Sequence, residues 1–342
     1  MAEMQPTTEI LTRISKNSLN NKDEVFTRLF RYLLREDIWF EAYRNLYANN
    51  GASTKGVNDD TADGFSERKI QKITEQLKNG KFNPTPVRRT YIQKKNSDKM
   101  RPLGIPTFTD KLVQEAVRMI LEAVYEPIFH ECSHGFRPNR SCHTALKSLR
   151  MKFTGAKWFI EGDIKGCFDN INHDVLIGIL NKKIKDARLI QLIQQFLKAG
   201  YLEDWIYHRT YSGTPQGGII SPILANIYLH ELDKFVENLK EEFDKPSKEK
   251  YTLEYRKAKY QTEKARKAIR ECDPQDYERK KQLIKNLKAV RSVQLKTPCK
   301  SQTDKKIQYI RYADDFILSV NGSREECIEI KKKLSQYISE VL

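Results

Sequence analysis

Apolar residues return every three or four positions along most of the chain and every second position in a few short runs, spacings that predict helices and strands respectively. Val25, Phe26, Leu29, Phe30 and Leu33, followed by Ile38, Trp39, Tyr43, Leu46 and Tyr47, predict two helices over 23–48, broken at Arg35-Glu36-Asp37. A polar, Gly-containing loop over 48–64 leads to a helix over 66–80 that Gly80 closes. Residues 84–106 read as a strand hairpin with a polar turn at Asn96-Ser97-Asp98, and further helices are expected over 110–127 and from Ser141 to Phe153. Trp158-Phe159-Ile160 opens a strand that ends on Asp163, and helices follow from His173 and over 188–199. The Gly/Pro-rich loop from 210 becomes a helix that Ser221 can cap, with Pro222 suited to its first turn. QYIRYADDFILSV, 308–320, reads as two short strands around a tight turn at Ala313-Asp314-Asp315. The last helix is amphipathic, with Cys327, Ile328, Leu334, Ile338 and Val341 along its apolar side.

The chain stops inside that helix with its apolar face unfinished. This predicts a piece of a longer protein and leaves a face on which a second copy could pair as a homodimer. Residues 240–300 change character: nineteen Lys and Arg face ten Asp and Glu, and apolar residues are sparse. They read as a basic helical insertion, either a solvated arm or an RNA-contacting one.

Composition adds partners to this outline. With 39% hydrophobic residues, 342 positions can bury a substantial core divided between two subdomains. No run of 18 apolar residues offers a membrane span, and the N-terminus lacks the apolar core of a signal peptide, so a cytoplasmic location is expected. The six cysteines stand apart and predict no disulfide framework. Cys132, His134, Cys142 and His143 cluster, but their spacing matches no common zinc motif. A net charge of +16 points to a polyanion, with nucleic acid first.

Against that background, two adjacent carboxylates in an apolar strand pair need an explanation. Burying ionised carboxylates is costly without a partner. A pair of divalent cations clamping the attacking and leaving oxygens of a phosphoryl displacement needs several hard oxygen ligands from separate elements. Asp314 and Asp315 supply two, and Asp163, at the end of another strand, supplies a third. The plain alternative is a solvent-exposed turn, since Asp is a common turn residue.

Their company decides between the two. PVRR, RPLGIP, SHGFRPNRSCHTAL, GDIKGCFDNI, TPQGG, SPILANIYL and RYADDF stand in the order found in group II intron-encoded reverse transcriptases, which also act as splicing maturases. The chain resembles that family throughout, with Ile14-Ser15-Lys16-Asn17 in the place of its extra N-terminal motif, and the long insertion resembles the mitochondrial-like branch. The resemblance implies an α+β fold: right-hand polymerase fingers over 1–157, and a palm over 158–342, an antiparallel sheet backed by helices and interrupted at about 240–300. The family's thumb, maturase and later domains have no counterpart here, so weak polymerisation is expected of this chain.

It further implies Asp163, Asp314 and Asp315 as catalytic residues, holding two Mg²⁺ ions together with the Ile164 carbonyl. Arg88, Lys94 and Arg101 would grip the incoming dNTP. Phe168 would exclude a ribose 2′-hydroxyl, and Gln216 would lie near the nascent base pair. Gly135, Phe136, Arg137 and Arg140 would hold the template. Implied partners are dNTPs, an RNA template with its DNA primer, and the intron RNA; no membrane is involved. The implied reaction is template-directed attack of a primer 3′-hydroxyl on the α-phosphate of a dNTP, releasing pyrophosphate. A non-catalytic RNA-binding splicing cofactor on the same scaffold is the alternative. An RNA-synthesising viral polymerase shares the geometry but is disfavoured by Phe168.

Overall fold

The computed structural model describes residues 5–49, 51–93, 98–214, 217–245, 251–273, 276–299 and 305–342. Helices α1 (Thr7–Asn20), α2 (Asp37–Tyr47) and α3 (Glu67–Lys78) precede strands β1 (Val87–Gln93) and β2 (Met100–Ile105). Helices α4 (Phe108–Tyr125) and α5 (Cys142–Lys152) lead to β3 (Trp158–Asp163), the short α6 (Cys167–Asn170), α7 (His173–Lys183) and α8 (Ala187–Lys198). Two three-residue strands follow, β4 (Tyr201–Glu203) and β5 (Ile206–His208), and then the long α9 (Ser221–Phe243). The basic insertion is a pair of helices, α10 (Leu253–Arg270) and α11 (Tyr277–Lys296), packed on one another. Strands β6 (Lys306–Tyr312) and β7 (Asp315–Asn321) and helix α12 (Arg324–Glu340) complete the chain.

Helix starts follow local chemistry. The Ser66 hydroxyl accepts from the Lys69 N–H at the head of α3, and the Thr107 hydroxyl from the Asp110 N–H at the head of α4. Reciprocal capping boxes open α5, through Ser141 and Thr144, and α12, through Ser323 and Glu326.

The fold is α+β, with two sheets. The first runs β2-β1-β4-β5, with β1 parallel to β4 and the other pairs antiparallel. The second runs β3-β7-β6 and is antiparallel throughout, as expected. Alternation along its strands sends Ile160, Ile307, Tyr309, Phe316, Leu318 and Val320 to one face, where Leu232, Val236 and Leu239 of α9 and Ile330 and Leu334 of α12 cover them. On the other face α5 covers only a corner, where Ala145, Leu149 and Phe153 meet Ile310 and Ile317. Glu161, Asp163, Tyr312 and Asp315 stay exposed on that face. One side of this sheet is therefore a buried layer and the other an open floor. A larger core gathers α1 to α4, α7, α8 and the first half of α9. No helix among the described residues is long and apolar enough to cross a membrane.

The structure corrects several expectations. Residues 23–34 do not form a helix beyond a 3₁₀ turn at Phe30–Leu34. Phe26 instead pairs with Ile184: its N–H donates to the Lys183 carbonyl at 2.9 Å and its carbonyl accepts the Lys185 N–H at 2.8 Å. Phe26, Leu29, Phe30 and Leu33 are buried as expected and Val25 is exposed, but it is this bridge, not a helix, that satisfies the Phe26 backbone. Ser221 is the first helical residue of α9, with Ile220 in the cap position. On α12, Ile328 and Val341 are each 46% exposed, and Ile330 and Leu334 form the buried stripe. Strands β4 and β5 and helix α6 had no counterpart in the periodicity.

Candidate active site

The open floor of the β3-β7-β6 sheet ends in three carboxylates. Asp163 closes β3 and stands directly opposite Asp315, the first residue of β7. Cα atoms so paired lie about 5 Å apart, with both side chains on one face. Tyr312 pairs with Asp315 on the other side, leaving Ala313 and Asp314 as a two-residue hairpin loop, so Asp315 belongs to the strand rather than to the turn. Ala313 has φ +55°, in the left-handed region that tight hairpins require and non-glycine residues seldom occupy. The Asp314 carbonyl accepts the Ile164 N–H at 3.4 Å, which ties the loop to the chain just beyond Asp163.

Among the described residues, none of the three carboxylates has a hydrogen-bond or ion-pair partner. Burial, then the charges of Asp314 and Asp163, push the Asp315 carboxyl above its ordinary range. Nor are any three His, Cys, Asp or Glu side chains of those residues gathered closely enough to enclose a metal ion. Three unpaired, mutually repelling carboxylates are nonetheless hard oxygen donors of the kind that suits Mg²⁺. The donor set fits the expected ions. The Ile164 carbonyl, expected as a further ligand, already accepts the Cys167 N–H at 3.0 Å and has one lone pair to spare.

Beneath the loop lies a buried network that the sequence reading did not single out. Arg311 is fully buried and pairs with Asp233 of α9, Nη2 to Oδ2 at 2.6 Å and Nε to Oδ1 at 2.8 Å. Burial would push the Asp233 carboxyl up; the guanidinium overrides it and holds it below its ordinary range. The Tyr309 hydroxyl donates to the same carboxylate at 3.0 Å.

The segment 132–137 runs along β6. The Arg311 N–H donates to the Cys132 carbonyl at 2.8 Å, and the His134 N–H to the Arg311 carbonyl at 2.9 Å. Gly135 abuts Ala313 so closely that a Cβ there would meet the Ala313 backbone. Phe136, at φ +53°, is 55% exposed and meets Phe168 edge-on with ring centroids 6.0 Å apart. Arg137 departs from its expected place at the template. It is buried, paired with Glu126 at 2.8 Å, and donates to the His130 and Ser133 carbonyls, so it braces the loop from inside. Arg140 is partly exposed and donates to the Glu131 carbonyl.

Two of the residues expected at the dNTP, Arg88 and Arg101, lie on the first sheet. Arg101 is exposed on β2. The Arg88 guanidinium donates to the Lys55 carbonyl, from Nη2 at 2.8 Å and Nε at 3.2 Å. Lys94 and Gln216 lie outside the described residues. Alternation turns Arg89 away from Arg88 and onto the Tyr201 ring, 3.8 Å from its centroid. There it lines a cavity of about 410 Å³ with Arg209, Tyr211, Gly104, Asp169 and Thr214. Its buried Nε has no partner among the described residues. Strand alternation in PVRR was the signal that separates the two arginines.

Residues 92–255 match the family described as reverse transcriptase (RNA-dependent DNA polymerase). Over 335 residues the chain is 61% identical to group II intron-encoded protein LtrA of Lactococcus lactis subsp. cremoris, covering 98% of this chain and 55% of that protein. It is 46% identical over 337 residues to an uncharacterized 91 kDa protein in the cob intron of Schizosaccharomyces pombe, covering 97% of this chain and 40% of that one. It is 32% identical over 314 residues to protein YkfC of Escherichia coli, covering 90% and 74%. The chain belongs to the family of group II intron-encoded reverse transcriptases and maturases. It spans about half the length of the intron-encoded relatives just described.

Proposed function

We propose that this chain forms the fingers and palm of an RNA-directed DNA polymerase that extends a primer with dNTPs on an RNA template, and that it binds its own intron RNA to assist splicing and intron mobility. The register that sets Asp163 beside Asp315 and the Asp314 loop, with no protein cation paired to any of them among the described residues, carries this reading. Residues 1–157 act as fingers and 158–342 as palm, with the basic helix pair as an accessory RNA-binding arm. Asp163, Asp314, Asp315 and the Ile164 carbonyl would hold two Mg²⁺ ions. Bound divalent cations supply charge stabilisation to a transferring phosphoryl group.

The remaining work falls to the chain's own side chains. Arg101, with Lys94, neutralises the incoming triphosphate. Phe168, braced by Phe136, blocks a ribose 2′-hydroxyl, which selects dNTPs. Phe136 offers an exposed ring on which a template base can stack, and Arg140 a cation for its backbone. Catalysis here is positioning together with charge stabilisation, and no side-chain nucleophile takes part.

Primer extension on an RNA template tests the reading. Asp163→Asn and Asp314→Asn should each lower dNTP incorporation by at least on the order of 10³-fold while intron RNA binding persists. Equal use of NTPs and dNTPs, or full activity in either variant, would overturn it. A protein of its relatives' full length that binds intron RNA and extends nothing would favour the non-catalytic splicing cofactor instead.

A further inference from the structure

Arg311 spends every polar hydrogen-bonding direction of its guanidinium inside the protein. Nε and Nη2 hold the Asp233 carboxylate, Nη2 also donates to the Ser133 hydroxyl at 2.9 Å, and Nη1 donates to Asn226 Oδ1 at 3.2 Å and to the Ala313 carbonyl at 2.9 Å. Ser133, Asn226, Asp233 and Arg311 are all at most 1% exposed. The last of those bonds reaches the strained residue immediately before Asp314. Asn226 extends the tie, donating from Nδ2 to the Gly135 carbonyl at 2.8 Å, on the residue that abuts Ala313 from the other side. A loop held in an unfavourable backbone region persists only where its surroundings over-determine it. Here one planar side chain connects α9, the 133–135 segment and the loop.

Resting on the polymerase reading above, we propose that Arg311 is a positioning residue: its bond to the Ala313 carbonyl, anchored on Asp233 and Asn226, sets where the Asp314 carboxylate stands relative to Asp163. It touches neither nucleotide nor cation. It acts as an outer partner acts on a metal ligand, by fixing the orientation of the group that does the binding. Lysine keeps the charge opposite Asp233 but has a single nitrogen and no fork, so it cannot hold Asp233, Ser133, Asn226 and Ala313 together.

The test uses the whole 342-residue chain and three measurements: Mn²⁺ affinity by electron paramagnetic resonance, kcat and KM for dNTP in primer extension, and the melting temperature. Arg311→Lys should weaken Mn²⁺ binding about tenfold and lower kcat between about 10- and 100-fold, with KM for dNTP within about twofold. The paired apolar replacement Arg311→Met/Asp233→Leu removes both charges, so it should recover melting temperature without recovering kcat or Mn²⁺ affinity. Leu334→Ala, a core truncation under the same sheet, should lower the melting temperature and leave Mn²⁺ affinity intact. Arg311→Lys that folds and keeps wild-type Mn²⁺ affinity and kcat overturns the inference, as does a paired replacement that restores all three measurements. Asp314→Asn separates this from failure of the polymerase reading. If that variant binds Mn²⁺ like wild type, the reading itself falls and the inference with it.

Discussion

Replacing Gly135 by Ala puts a methyl group where the 132–137 segment abuts the Asp314 loop. A Cβ built on Gly135 lies 2.9 Å from Ala313 Cα and 3.0 Å from Ala313 Cβ, and nearer still to the Ala313 backbone nitrogen. Carbon atoms prefer roughly 3.5–4.0 Å, so the loop or the segment must give by about 1 Å. Neither has a flexible end to move: Arg311 and the Ile164 N–H hold the loop, and Asn226 holds Gly135. Overpacking of this kind costs about 1–3 kcal/mol. A displacement of about 1 Å at groups that position a reacting phosphate costs on the order of 10²-fold in rate. Gly135→Ala should therefore lose on the order of 10²-fold in kcat for dNTP incorporation, with a melting temperature lower by several degrees, roughly as 1–3 kcal/mol requires. Single-turnover primer extension with thermal melting measures both. Activity within about threefold of wild type together with an unchanged melting point would refute the reasoning.

Three further outcomes are expected. Leu334→Ala should destabilise the chain by roughly 2–5 kcal/mol in urea unfolding, against under about 0.5 kcal/mol for Ile328→Ala, because only the first side chain is buried beneath the sheet. Burial pushes the Asp110 carboxyl from its ordinary 3.8 up to about 6, although Thr107 and Thr85 donate to it. Between those values the unfolded chain has released a proton that the folded chain retains, so stability falls as pH rises from about 4 to 6 and levels off above. The loss is roughly 3 kcal/mol, and Asp110→Asn should remove that part of the urea-midpoint slope. RNA affinity should fall steeply with salt, and changing the exposed Lys281, Lys285 and Lys288 of α11 to Gln should reduce the log–log slope by about two. An unchanged slope would place RNA away from that helix.

Elements with a strong single period were legible in the sequence. The β6–β7 hairpin, β3 and the helices around 66–80, 110–127 and 188–199 all stand where apolar spacing put them. The two short strands at 201–208 escaped because three residues cannot express an alternation, and their turn, Asp204-Trp205, carries no glycine although both residues have positive φ. Residues 23–34 misled because burying Phe26, Leu29, Phe30 and Leu33 is compatible with a helix, while the pairing of Phe26 with Ile184 is a contact across more than 150 positions.

The site divides in the same way. Residue types named Asp163, Asp314 and Asp315, but no local pattern states that 163 faces 315; strand register does. Arg311 looked like one more cation of a basic chain, and family resemblance alone assigns Arg137 to the template. Their burial is set by carboxylates, Asp233 and Glu126, that only folding brings near. For Arg311 a signal existed, since alternation places it on the inward face with Ile307 and Tyr309.

The basic helix pair leaves the chain after α9 and rejoins it ahead of β6 across a single bridge. The Lys245 N–H donates to the Lys305 carbonyl at 3.0 Å in an antiparallel bridge, and nearer the helices Thr252 donates to the carbonyls of Cys299 and Pro298. Entry and exit therefore stand one strand spacing apart, about 5 Å, a gap that a two-residue turn spans. A segment closed at its own neck in this way can change in length or content without pulling the three-stranded floor out of register.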